Sequence, residues 1–235
     1  MKTNRKSALT AGFALIIMAV AAIFAYGYVH NSLVIPGNPD ATTSNLKSSA
    51  LLYRAEIAGW LIILILDVVA ALALYVFFKN ENRKLSVLAA GFRLIYSVVL
   101  GIAILNLIQI LNILNGTFPE TAGNQILFHL NSFEKTWSFG LIIFGFHLLL
   151  LGILTLKSKN IRNLWGTLLV FAAVCYTVIH SAKFLLPEFE SQIATAEMIL
   201  SLPMAFGEVG FAFWLIIRGG KSRIVYRQTK TAVTS

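Results

Sequence analysis

Cysteine and charge are both scarce in this chain, and several common catalytic signatures are missing. Cys175 is the single cysteine among 235 residues, so no intrachain disulfide and no multi-cysteine metal site can form. Charged residues make up 12%, where a soluble domain of this length carries about a quarter. That leaves too little polar surface to cover a globule in water. No Gly-rich phosphate loop, H-E-x-x-H helix or G-x-S-x-G elbow occurs, which excludes the commonest nucleotide, zinc-protease and serine-hydrolase chemistries. The period-2 alternation of a membrane barrel wall is absent too. Histidine is sparse at four residues. Catalytic zinc usually takes three protein ligands, and His147 with Asp67 or Glu208 would give only an uncommon one-histidine set. His147 and His180 lie at different depths, which argues against a haem held between them. No metal and no cofactor is therefore expected.

What is present is apolar length. The hydrophobic fraction is 57%, gathered in runs that suit a hydrocarbon core roughly 30 Å thick, crossed by about 20 helical residues. A helix satisfies its own backbone hydrogen bonds in lipid and an isolated strand does not. The fold class expected is all-α: a polytopic bundle of six transmembrane helices forming a single membrane domain over 1–235. The spans are expected at about 7–29, 49–78, 85–114, 126–156, 164–186 and 194–217, before a basic tail over about 218–235. The first run is too long for a signal-peptide core and lacks a small-x-small cleavage site, so it reads as an uncleaved helix. Pro36, Gly37 and Pro39 mark a loop after it, and the segment from Asn115 to Glu120 marks a turn after span three.

The net charge is +9, and its placement matters more than its size. Basic residues follow span two (Lys79, Arg83, Lys84), span four (Lys157, Lys159, Arg162) and span six (Arg218, Lys221, Arg223, Arg227, Lys230). They also precede span one (Lys2, Arg5, Lys6). The intervening loops are poor in them, Lys47 being the main exception. This alternation fits the positive-inside rule, with both termini cytoplasmic. It assigns the basic ends to orientation and to anionic lipid headgroups, not to nucleic acid. Protein partners are not indicated.

Ionisable side chains inside a span cost about 2.5–3.5 kcal/mol each even on the insertion scale, so their depths are informative. Counted from the basic helix ends at 1.5 Å per residue, Asp67 lies about 18 Å in, Arg93 about 14 Å, and His147 and Glu208 about 15 Å. Four groups from four helices thus share one level near the bilayer centre. Glu56 and Asp67 fall on one stripe of span two, Gly140 and His147 on one stripe of span four, and Glu197 and Glu208 on one stripe of span six. Two readings follow. Asp67 pairs with Arg93, and Glu208 with His147, as glue that fixes packing. Otherwise Asp67 and Glu208 bind a proton or cation, His147 relays, and Arg93 is a counter-charge. Nearer the outer boundary lie Arg54, Glu56, Glu134, Lys135, His180, Lys183 and Glu197. They form either an interfacial collar of snorkelling charges or an outer vestibule above the deeper cluster.

Several segments, taken in order and spacing, carry a resemblance. They are Ser32 to Gly37, Leu66 to Tyr75, Gly91 to Leu94, Phe144 to Gly152, Phe184 to Pro187 and Gly207 to Leu215. In these the chain resembles, from about Lys6 to Gly219, the bacterial membrane proteins grouped as domain of unknown function 4386. Where that family often has an aspartate in the fifth span, this chain has His180. The resemblance implies a six-helix protein of the bacterial inner membrane and no particular activity. The function expected first is a small carrier or proton-linked binding protein, because a midplane site below an outer polar collar suits alternating access. A non-catalytic membrane partner or stress-response subunit, and an intramembrane enzyme acting on lipid, remain alternatives.

Overall fold

The structure is a computed structural model and describes residues 2–116 and 121–221. Most of the turn expected after span three (117–120) and the tail residues Arg223, Arg227 and Lys230 lie outside the described residues. Among the described residues six helices are long and apolar enough to cross a membrane: Asn4–Leu33, Ala50–Phe78, Arg83–Asn115, Ala122–Lys157, Asn163–Leu185 and Pro187–Ile217. They are called spans one to six below. The architecture is that of a multi-pass all-α membrane protein.

Local chemistry sets several of the boundaries. Asn82 caps span three, its side-chain oxygen accepting the Leu85 N–H at 3.1 Å, the usual role of Asn at a helix start. Gly37 and Gly220 carry the positive φ values of 73° and 67° that let the chain turn away after spans one and six. Pro203 lies inside span six. The segment between spans one and two is not simply the loop that its prolines suggest. Asn38 and Pro39 instead start a ten-residue helix, Pro39–Ser48, with the Asn38 side chain accepting the Ala41 N–H at 3.0 Å. Pro after an Asn cap is a helix-start signal as much as a loop signal.

Consecutive spans pack side by side, and span six returns to pack on span one, so the six close into a ring. Glycine makes the tightest contact possible. A methyl group added at Gly152 of span four would stand 3.0 Å from the Gly166 carbonyl oxygen of span five, and one at Gly145 would stand 3.0 Å from the Ala173 carbonyl oxygen. Such small-residue seams are how helices approach closely in lipid, where burial from water supplies no drive. The closing contact is electrostatic. Arg5 donates to the carbonyls of Leu215 (3.1 Å), Ile216 (2.5 Å) and Gly219 (2.8 Å). Its guanidinium thus satisfies carbonyls that the last turn of span six leaves open, at the negative end of that helix's dipole.

Span one contains an uncommon element. From Ile23 to His30 its hydrogen bonds run in the wider π pattern. The expected end of this span at about residue 29 therefore falls one residue short of its most polar buried side chain, His30.

Candidate functional site

Three polar levels occupy the ring interior, and all of them are built by several spans at once.

Three of the four groups expected at the middle level are in direct contact. Asp67 Oδ1 pairs with Arg93 Nη2 at 2.6 Å, and both side chains are buried. Arg93 Nη1 donates to His147 Nε2 at 3.1 Å, while His147 Nδ1 donates to the Ala89 carbonyl at 2.8 Å. A carbonyl only accepts and a guanidinium only donates, so these two bonds fix the imidazole as the neutral tautomer with its proton on Nδ1. A relay role for His147 would require a second proton on Nε2, facing the guanidinium donor. The expected pairing of His147 with Glu208 is not made. The same guanidinium lies 3.9 Å from the Met18 sulfur of span one and 5.2 Å above the Phe144 ring. Glu208 is half-buried and bonds the Tyr176 hydroxyl of span five, within electrostatic reach of Arg93 and Asp67. Gly207 and Gly210 press span six against Leu168 and Trp165 of span five, which turns position 208 that way. The void beside His147 and Ser86 measures about 10 Å³, at the lower limit for one water. No cargo fits there.

The level farther from the basic end differs from the expected collar. Arg54 and Lys135 are exposed, but Glu56 is fully buried at 0%. Its Oε1 lies 2.8 Å from His30 Nδ1, and the other ring nitrogen, Nε2, lies 3.3 Å from Glu134 Oε1. The Glu134 side chain is 45% exposed. One imidazole therefore bridges a carboxylate that reaches the surface and one that does not. Two such bonds between a ring and two carboxylates need two shared protons, either both on the ring or one of them on a carboxyl group. Aromatic rings wall the triad: Tyr26 stacks on His30 at 5.0 Å, and Trp60, Phe133 and Trp137 meet edge-on or stacked at 4.9–6.0 Å. Among the described residues Glu56 Oε2 and Trp60 Nε1 are buried without a hydrogen-bond partner. They sit four residues apart on one helical face.

A second pair of contacts on this level ties spans four, five and six. Ser138 Oγ lies 2.8 Å from His180 Nδ1, and Lys183 pairs with Glu197 at 2.6 Å. His180 Nε2 is 3.9 Å from Glu197. Six of the expected outer residues thus divide by direct contact, while Tyr26 lies within electrostatic reach of Glu56, Glu134 and Glu197 alike. Arg54 lies outside, Glu56 and Glu134 belong to His30, and His180, Lys183 and Glu197 form their own group. His30 itself was not singled out in the sequence, because it borders the Pro-rich segment and gives no depth signal. Its position four residues after Tyr26, with Glu56 four before Trp60, is the spacing that could have marked it.

The third level lies at the basic end. A basin of about 1100 Å³ opens there between spans one, two, five and six. Arg162, Arg218 and Lys221 border it, together with Phe77, Trp165 and Trp214. No expectation from the sequence placed a cavity here, since the basic residues read as orientation signals.

A family model described as "Domain of unknown function (DUF4386)" matches residues 10–219. An "Uncharacterized protein" of Archaeoglobus fulgidus is 30% identical over 166 residues, covering 71% of this chain and 85% of the relative. No solved structure matches.

Proposed function

This chain belongs to the DUF4386 family, and we propose that it is a proton-linked binding protein or small carrier of the membrane. The observation that carries this reading is the Glu134–His30–Glu56 triad, with bonds of 3.3 and 2.8 Å joining an exposed carboxylate to a fully buried one through a single ring. Such an arrangement takes up a proton at Glu134 and delivers it to Glu56, which bulk water does not reach. The π-helical segment that presents His30 adds support, since π-helical turns concentrate at functional sites.

The cargo site is separate from the proton site. Asp67, Arg93 and His147 act as a clasp between them rather than as the binding groups. Span one runs through all three levels, with Asn4 at the basin, Met18 at Arg93 and His30 in the triad. Span two does the same through Phe77, Asp67 and Glu56. A shift of either helix therefore links the two ends. The finer location we propose is the cytoplasmic (inner) membrane of a bacterium, basic end inward, on the loop charges and the family resemblance.

Infrared difference spectroscopy tests the proton site. Between about pH 5 and 10, which extends beyond the range in which an unperturbed imidazole titrates, the reconstituted wild type should show a carboxylic C=O band that Glu56→Gln lacks. An unchanged spectrum across that range in the wild type would sink the reading. It would leave the non-catalytic partner reading, which the closed Asp67–Arg93–His147 clasp favours.

A further inference from the structure

We propose that the basin at the basic end is a binding site for a phosphate-bearing anion on an apolar stem, the chemistry of an anionic phospholipid headgroup. The proposal rests on the proton-linked reading only in calling the occupant a cargo; the site stands on its own geometry.

Charge is the first support. Arg162, Arg218 and Lys221 face Glu81 alone among the acidic residues bordering the basin. Glu81 is already engaged, its Oε1 accepting from Ser158 Oγ at 3.1 Å. The helix ends add to this bias. Span five begins at Asn163, Arg162 before it offers no side-chain cap, the Trp165 N–H donates to the Arg162 carbonyl at 3.1 Å, and no acidic residue sits in the first turn of this 23-residue helix. The positive end of a helix dipole favours an anion. The opposing negative end, the carbonyl terminus of span six, is covered by Arg5. Both helix ends at this level are therefore arranged for a negative guest.

Shape supplies the second argument. A volume of about 1100 Å³ exceeds what a bare inorganic anion needs and suits a headgroup with part of its stem. Trp165, Trp214 and Phe77 form the apolar wall, and Trp214 continues inward through Phe211, stacked at 6.0 Å, to Phe78 at 6.5 Å from Phe211. Asn4, Asn80 and Asn160 add amide donors at the rim. A polar, cationic mouth above an aromatic floor matches an amphiphile lying at headgroup depth, and basic pockets between helices are known to take such lipids.

Thermal unfolding of the full chain in a neutral detergent tests this, because a ligand that binds only the folded state raises Tm. Three probes are compared: short-chain phosphatidylglycerol, phosphatidylcholine of the same chain length, and free glycerol phosphate. Phosphatidylglycerol should stabilise the protein with an apparent affinity at least tenfold above that of phosphatidylcholine. Replacing the exposed Arg162 and Arg218 together (Arg162→Gln with Arg218→Gln) should remove that tenfold difference without lowering the ligand-free Tm. Quenching of tryptophan fluorescence by a brominated acyl chain on phosphatidylglycerol should fall in the same variant. Stabilisation by phosphatidylglycerol alone identifies a lipid source. Equal stabilisation by glycerol phosphate identifies a soluble phosphate ester at the same site. Equal responses to both lipids, or a response that the double variant leaves intact, overturns the proposal. The two readings separate cleanly: loss of the infrared band in wild type with lipid selectivity retained sinks only the proton link, and the reverse sinks only this site.

Discussion

Arg93 holds the middle of the molecule through contacts with three other helices. Its guanidinium reaches Asp67 of span two, His147 of span four and Met18 of span one, while its own backbone belongs to span three. The Nε proton has no partner among the described residues, so the side chain depends heavily on Asp67 for compensation. Removing one member of a buried pair strands the other charge, which typically costs about 3–5 kcal/mol, whereas replacing both with apolar residues is often close to neutral. Asp67→Leu should therefore lower Tm strongly in detergent. Asp67→Leu combined with Arg93→Met should recover most of the loss. A double variant as unstable as the single one would show that the pair does more than neutralise itself. This residue level was partly legible in the sequence. Helical counting brought Asp67, Arg93 and His147 to one depth, because rise per residue is fixed in a straight helix. Counting gave Glu208 a depth but not a partner, since its bond to Tyr176 depends on how Gly207 and Gly210 seat span six against span five.

At the scale of elements, what sequence periodicity could not show is the departure of span one from a regular α-helix. Apolar run length locates a span well, since lipid imposes it, and the six runs lie close to where the helices are. Hydrogen-bond pattern leaves no comparable trace. The residues from Ile23 to His30 read as ordinary apolar helix, yet they are wound as a π-helix and deliver His30 between two carboxylates. Because an α-helix turns about 100° per residue, a one-residue change within this segment re-aims everything beyond it. Inserting one alanine after Gly27, an exposed position where an added methyl would meet nothing closer than 3.9 Å, should rotate His30 by about 100° away from Glu56. The expected result is a protein that still inserts and folds but has lost the pH-dependent carboxyl band. Retention of the band would mean that the segment absorbs the extra residue by widening again, and that the contacts set the winding rather than the reverse.

At the scale of the whole molecule, six membrane-length helices place both ends of the described chain on one side, and the proposed orientation puts that basic end inward. Basic side chains gather around the basin at one end, while the other end carries the Pro39–Ser48 helix and the Glu134–His30–Glu56 triad. The molecule is therefore polarised twice over, in orientation and in chemistry, with the buried clasp insulating one end from the other. That separation gives orientation a functional consequence: on the proposed reading, a proton enters from the side opposite the one that meets anionic headgroups. Cys175, the single cysteine, is buried in span five, so Cys175→Ser provides a background for site-directed labelling. In that background Ser44→Cys and Lys159→Cys, both at exposed positions, probe opposite ends. In intact cells a membrane-impermeant maleimide should label position 44 and spare position 159, and permeabilised cells should label both. The reverse pattern would turn the basin outward. It would assign the proton-taking carboxylates to the cytoplasm, and the direction of any coupled movement would reverse with them.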